Sequence, residues 1–186
     1  MGTMPDHLRM HGLLSRGTMP RVAAHLSDPR VLVCGATGFV GRSLTGELVR
    51  QGIAVRALSR TAGRGASVLP KGVEGRMGDL VTGSGLDEAL RDVTVAYYLV
   101  HSLGTRTGAL DFDEADRQAA SHFADAARRS GLQRIIYVGG LDDAAKRTSR
   151  HLASREEVGR ILASSAVPVT QLRAGIVVGA GVPPSR

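Results

Sequence analysis

The sequence has one cysteine, no tryptophan and only two lysines among its 24 basic residues, and 3% of its 186 residues are aromatic. The single thiol, Cys34, excludes a disulfide within the chain. Its place inside an apolar run makes it a buried, inert group, as suits a reducing cytoplasm. No apolar run reaches the roughly 20 residues that span a bilayer. The first 28 residues offer only Leu13 and Leu14 as an apolar centre, too little for an export signal, so the chain is read as cytoplasmic with no membrane partner. The net charge of +7 raises the question of nucleic acid. The arginines are scattered and few aromatics accompany them, so no nucleic-acid partner is expected. A mildly basic surface suits an anionic cofactor equally well. No metal site is expected, and the oligomeric state is not legible.

What is present is ordinary for a globular domain: 42% hydrophobic and 22% charged residues, enough for one buried core. Residues 1–29 hold Gly, Pro, Ser, Thr, His and extra methionines without a sustained period. They are read as a flexible N-terminal extension before a domain spanning 30–186, with Met19 as a possible alternative start. At the head of that domain stands Val31-Leu-Val-Cys-Gly-Ala-Thr-Gly-Phe-Val-Gly41. The apolar residues to Cys34 predict a buried parallel strand, and the three glycines then open onto a helix. Gly35 makes the tight turn. Gly38 removes the side chain where a pyrophosphate approaches, and Gly41 lets the helix lie close on the strand. The free amides and positive end of that helix then face an anion. Thr37, Phe39 and Val40 complete the segment. Val40, Leu44 and Leu48 recur at helical spacing, and Gly52 stands where a C-terminal cap is wanted.

Strands and helices then alternate. Residues 52–59 predict a second strand, 61–72 a Gly/Ala/Arg linker and 73–77 a third strand. Ser84-x-x-Asp87 resembles a capping box for the helix carrying Leu86, Ala89 and Leu90. A strong apolar strand follows at 93–100. The helix over 113–130 puts Ala115, Ala119, Phe123, Ala126 and Ala127 on one face, with Gly131 as its stop. A fifth strand over 134–138 is expected to break at Gly139-Gly140. Ser154-x-x-Glu157 announces the next helix, with Val158, Ile161 and Leu162 inward, and a sixth strand is expected over 169–178. This order specifies an α/β fold: a Rossmann-type doubly wound parallel sheet with helices on both faces.

Gly-Ala-Thr-Gly-Phe-Val-Gly resembles the turn of the extended and atypical short-chain dehydrogenases/reductases, especially the NmrA-like NAD(P)-binding group. Tyr137-Val-Gly-Gly and Leu172-Arg-Ala-Gly175 carry the same resemblance. It implies a dinucleotide cofactor held at the carboxyl ends of the strands. Members of that group continue well beyond the sixth strand, so the chain is read as C-terminally truncated or as lacking a substrate lid.

Several positions become site candidates. Dinucleotide folds place a carboxylate about 20 residues past the glycines to bind the ribose 2′-hydroxyl. Here Ser59-Arg60 stands instead, and a guanidinium beside a hydroxyl favours a 2′-phosphate, hence NADP(H) over NAD(H). Arg42 is a second partner for that phosphate. The resemblance lays Asp79-Leu80 against the adenine, although an aspartate at a strand end is also common turn chemistry. Val100 and His101, at the carboxyl edge of the fourth strand, are expected beside the cofactor ribose, with His101 a candidate acid or base. The group's catalytic serine and Tyr-x-x-x-Lys are absent. His151-x-x-x-Arg155 keeps that spacing, so Arg155 is expected to bind ribose hydroxyls and His151 is a further catalytic candidate. The capping box would place His151 at or before the first turn of its helix. These features describe an NADP-dependent oxidoreductase acting on an unknown small molecule, or alternatively a non-catalytic NADP(H)-sensing regulatory or assembly protein.

Overall fold

The computed structural model describes residues 30–61, 68–101, 111–141, 150–175 and 177. The expected extension over 1–29 lies outside the described residues, as does most of the 61–72 linker. The elements run β1 (Arg30–Cys34), α1 (Phe39–Arg50), β2 (Ala54–Ser59), β3 (Glu74–Met77), α2 (Leu86–Leu90), β4 (Val95–Tyr98), α3 (Phe112–Arg129), β5 (Arg134–Gly140), α4 (Arg150–Ala163) and β6 (Val169–Ala174). The strands form one six-stranded sheet in the order β3-β2-β1-β4-β5-β6. Every pairing is parallel. The chain therefore winds outward from β1 to β3, crosses back, and winds outward again from β4, as the Rossmann reading requires.

Strand burial follows from position. Val31 to Cys34 lie between β2 and β4 and are all buried, so after Arg30 β1 is apolar without alternation. On one face Val33, Val55 and Ala57 pack with Leu48 of α1. On the other, Leu32, Leu58, Tyr98 and Ile135 pack under α2, α3 and α4 through residues such as Leu90, Phe123 and Leu162. Ala115, Ala119, Phe123, Ala126 and Ala127 of α3 are all buried, so the inward face read from their spacing is the one observed. Cys34 is fully buried and burial pushes its thiol up to about 12, which keeps it inert. No helix among the described residues is long and apolar enough to cross a membrane.

Helix ends differ more. Gly52 has φ +76, its N–H reaches Val49 O at 2.9 Å, and the N–H of Ile53 reaches Leu48 O at 3.0 Å. This double bond pattern caps α1 as the glycine predicts. Neither capping box forms. Gly85, not Ser84, is the N-cap of α2, at φ +73 and with no side-chain cap bond. Ser154 lies buried inside α4, which already begins at Arg150. Glu157 is drawn away to Arg117 of α3, whose Nε donates to it at 2.9 Å. Gly139 and Gly140 do not break β5 but continue it in register with Arg173 and Ala174. β6 stops at Ala174, short of the expected 178, where Gly175 bends the chain. Gly131 follows α3, but the closing bonds come from Ser130, whose hydroxyl donates to Ala127 O and accepts from the Leu132 N–H.

Candidate functional site

A cavity of about 780 Å³ opens at the carboxyl ends of β1, β4, β5 and β6, where the strand order reverses. Its volume falls in the range of small-molecule sites, about 300–1,000 Å³. The β1–α1 turn forms one wall through Gly35 and residues 37–41. Leu99, Val100 and His101 follow β4 into it, and Val138, Leu152, Arg155, Ala174, Gly175 and Val177 close the far side.

The three glycines of the turn meet different constraints. Gly35 sits at φ +86, a conformation L side chains avoid. A Cβ on Gly41 would lie 2.1 Å from Gly35 O and 2.7 Å from Ala36 Cα, so α1 can start this close to β1 only without one. A Cβ on Gly38 would meet Gly35 O alone, at 3.2 Å; its other side faces the cavity. The first bond of α1 runs from the Arg42 N–H to Gly38 O at 2.9 Å. No side chain caps the amides before it and no acidic residue occupies the first turn. The positive end of α1 is thus left for a ligand.

The other predicted residues divide. Val100, His101 and Arg155 line the cavity with the turn. Arg42 and Arg60 are exposed outside its wall. The Ser59 hydroxyl is engaged in its own turn, donating to Thr61 O at 2.9 Å. Asp79 Oδ1 accepts from the N–H of Val81 at 2.7 Å, a bond that holds its loop. Leu80 is buried in the core. His151 is the second residue of α4; its side chain is outside the described residues. Val138, Ala174 and Gly175 belong to the two later segments that carry the family resemblance, whereas Leu99, Leu152 and Val177 are wall residues the sequence reading does not name as site candidates. The helical spacing of Leu152 to Arg155 was the available signal for one of them.

Among the described residues His101 and Arg155 are the titratable groups on the cavity wall, and no carboxylate joins them. The Arg155 guanidinium has no hydrogen-bond or ion-pair partner among the described residues, and its backbone carbonyl accepts from the Tyr137 hydroxyl at 2.9 Å. None of the three tyrosines lines the cavity. Tyr98 is fully buried, edge-on to Phe123 and Tyr137 with ring centroids 5.2 and 6.1 Å away. Burial pushes the Tyr137 phenol up to about 12 against the opposing charge of Arg155. A bare amide cradle with, among the described residues, one unpartnered cation and no wall carboxylate can hold a phosphate-bearing ligand.

Residues 35–177 match the NAD(P)H-binding protein family. The chain belongs to that family. The matched span opens at the first glycine of the turn and contains the whole described cavity wall. A ketoreductase of Cercospora beticola is 31% identical over 130 residues, covering 61% of this chain and 36% of its own length. The triphenylmethane reductase of Citrobacter sp., solved with NADP(H), superposes with a TM-score of 0.62 at 21% identity, covering 77% of this chain and 48% of that one. The Bordetella bronchiseptica enzyme WbmG, solved with NAD, gives a TM-score of 0.67 at 19% identity over 82% of this chain and 55% of that one. The chain thus spans between a third and about half the length of these relatives.

Proposed function

We propose that this family member binds NADP(H) in the cavity at the β1–β4 switch point and acts as an oxidoreductase on a small carbonyl or activated-alkene compound. The observation that carries the reading is the Gly38 cradle, bare on the cavity side and flanked by an uncapped helix end, facing an arginine with no partner among the described residues. Gly35, Gly38 and the amides of residues 39–41 would hold the pyrophosphate. Val100 and His101 would flank the ribose on the β4 side, and Arg155 would donate to its hydroxyls from α4. Arg60 and Arg42 would meet a 2′-phosphate outside the cavity wall, where both are exposed. That arrangement favours NADP(H) over NAD(H), since neither position offers a carboxylate to the 2′-hydroxyl.

When bound, NADPH supplies a hydride. The chain must then supply a proton, and among the described wall residues His101 is the side chain of the general acid–base type. The likeness to a ketoreductase supports a carbonyl substrate. A second reading, a non-catalytic NADP(H) sensor, is favoured by a specific feature: no tyrosine lines the cavity, so the phenol of the usual catalytic set has no substitute of its kind. The inert buried thiol of Cys34 fits a cytoplasmic location for either.

Calorimetric titration with NADPH and NADH tests the binding claim. Tighter NADPH binding is expected, with Arg60→Ala weakening NADPH and sparing NADH; equal affinities would remove Arg60 from this role. NADPH oxidation with a panel of ketones tests the chemistry. His101→Ala should slow turnover by roughly 10²-fold at saturating cofactor, beyond any loss of cofactor affinity from its place beside the ribose. Binding without oxidation of NADPH by any ketone or activated alkene would leave the sensor reading.

A further inference from the structure

We propose that Tyr137 and Gly140, at the two ends of the Tyr-Val-Gly-Gly segment of β5, are positioning residues that aim the Arg155 guanidinium into the cofactor cavity. The inference rests on the reading above, in which Arg155 binds the cofactor. Tyr137 is buried and points to the α3–α4 side of the sheet, while its neighbour Val138 lines the cavity. Its hydroxyl therefore cannot reach a substrate. It donates instead to the backbone carbonyl of Arg155, 2.9 Å away. The ring lies along the same helix: a Cβ on Gly159, one turn beyond Arg155, would come within 3.4 Å of Tyr137 Cε1. The same Cβ would lie closer still to Gln171 Oε1, at 3.2 Å, so α4 passes over the ring and the Gln171 amide together, and the Tyr137 hydroxyl fixes the helix at the residue whose side chain enters the cavity.

Gly140 completes the arrangement from the strand. A Cβ there would fall 2.5 Å from Leu152 Cδ2, 3.5 Å from Arg155 Cδ and 3.8 Å from one guanidinium nitrogen. The arginine stem thus runs across the bare backbone of Gly140, and Leu152 packs beside it as cavity wall. A branched side chain at 140 would occupy the path of Arg155. The same pair of contacts explains why β5 carries glycine where a continuing strand would otherwise favour a β-branched residue.

A purely structural Tyr137 would weaken cofactor binding whatever stands at 155, whereas a positioning Tyr137 matters only while the guanidinium is present. NADPH affinity is therefore measured for the wild type, Tyr137→Phe, Arg155→Ala and the double variant, with circular dichroism confirming the fold of each. Tyr137→Phe keeps the ring and removes only the hydroxyl. It should weaken NADPH binding about fivefold to tenfold alone and less than about twofold in the Arg155→Ala background. Gly140→Val should match Arg155→Ala and add little to it. Equal losses from Tyr137→Phe in both backgrounds would overturn the proposal, and so would an unchanged Tyr137→Phe beside a weakened Arg155→Ala. If Arg155→Ala binds NADPH as the wild type does, the cofactor role of Arg155 falls and the positioning role falls with it.

Discussion

Gly38 and Gly41 stand three residues apart in one turn, yet an added methyl group would meet opposite surroundings at the two. At Gly41 it would strike backbone atoms of Gly35 and Ala36 at 2.1 and 2.7 Å, which cannot rotate aside. Gly41→Ala should therefore cost on the order of 1–3 kcal/mol of stability, the range for forced overpacking, read as a lower urea midpoint. Gly38 has ordinary dihedrals, φ −70 and ψ 173, so a larger residue fits the backbone and its side chain projects into the cavity. Gly38→Val should leave the urea midpoint nearly unchanged and abolish dinucleotide binding. A destabilised Gly38→Val with normal binding, or a Gly41→Ala as stable as the parent, would refute this division of roles. The close packing at Gly41 was legible in the sequence, because strand, glycine spacing and helix leave the backbone few alternatives. Gly140 was not. A Cβ there would fall 2.5 Å from Leu152 Cδ2, on a side chain 12 residues later, and no local pattern encodes that approach.

At the level of elements, α2 is held by a buried charge. Arg56 of β2 is 2% exposed. Its NH1 donates to the carbonyls of Ala89 and Arg91 at 2.8 and 2.7 Å, closing the end of α2, and its Nε donates to Glu74 of β3 at 3.1 Å. Burial alone would raise the Glu74 carboxyl. The hydrogen bond and charge of Arg56, with the charges of Arg76 and Arg30, outweigh it and hold the group below its ordinary value of 4.5. A depressed carboxyl contributes stability above the unfolded value and loses it as pH falls through the folded one. Glu74→Gln should thus be less stable than the parent at pH 7, and the gap should close as the pH drops below about 4.5, followed by urea unfolding at several pH values. A gap that persists unchanged at low pH would show that the charge is not what matters. Arg56→Ala should cost on the order of 3 kcal/mol, the lower end of the range for removing one partner of a buried pair, since Glu74 keeps partial contact with water. A buried arginine reads in sequence as one more polar residue, so this anchor was invisible there. The same blindness misplaced the start of α4. Ser154 and Glu157 have the spacing of a capping box, but tertiary contacts bury the serine and pair the glutamate with Arg117, and the helix begins a turn earlier. Every described helix and strand falls where the sequence pattern expects one, whereas ends depend on partners that are distant in sequence.

For the molecule as a whole, the described cavity walls all come from residues 35–177. The turn on β1, the segment after β4 and the far wall from β5, α4 and β6 are brought together only by the complete winding of the sheet, so a dinucleotide bridging them binds the folded chain and not the unfolded one. Such a ligand stabilises by mass action, about 2.7 kcal/mol at 100 times its dissociation constant. For a chain of this size each kcal/mol moves the thermal midpoint by roughly 2–4 °C, so NADPH at that concentration should raise it by about 5–10 °C. The shift should grow with the logarithm of ligand concentration and should vanish in Gly38→Val, whose own midpoint stays near that of the parent. Thermal unfolding followed by circular dichroism across an NADPH series decides it. A parent whose midpoint does not respond to NADPH would show that these walls do not bind the cofactor on their own. An equal response in Gly38→Val would show that binding occurs but not against the glycine turn.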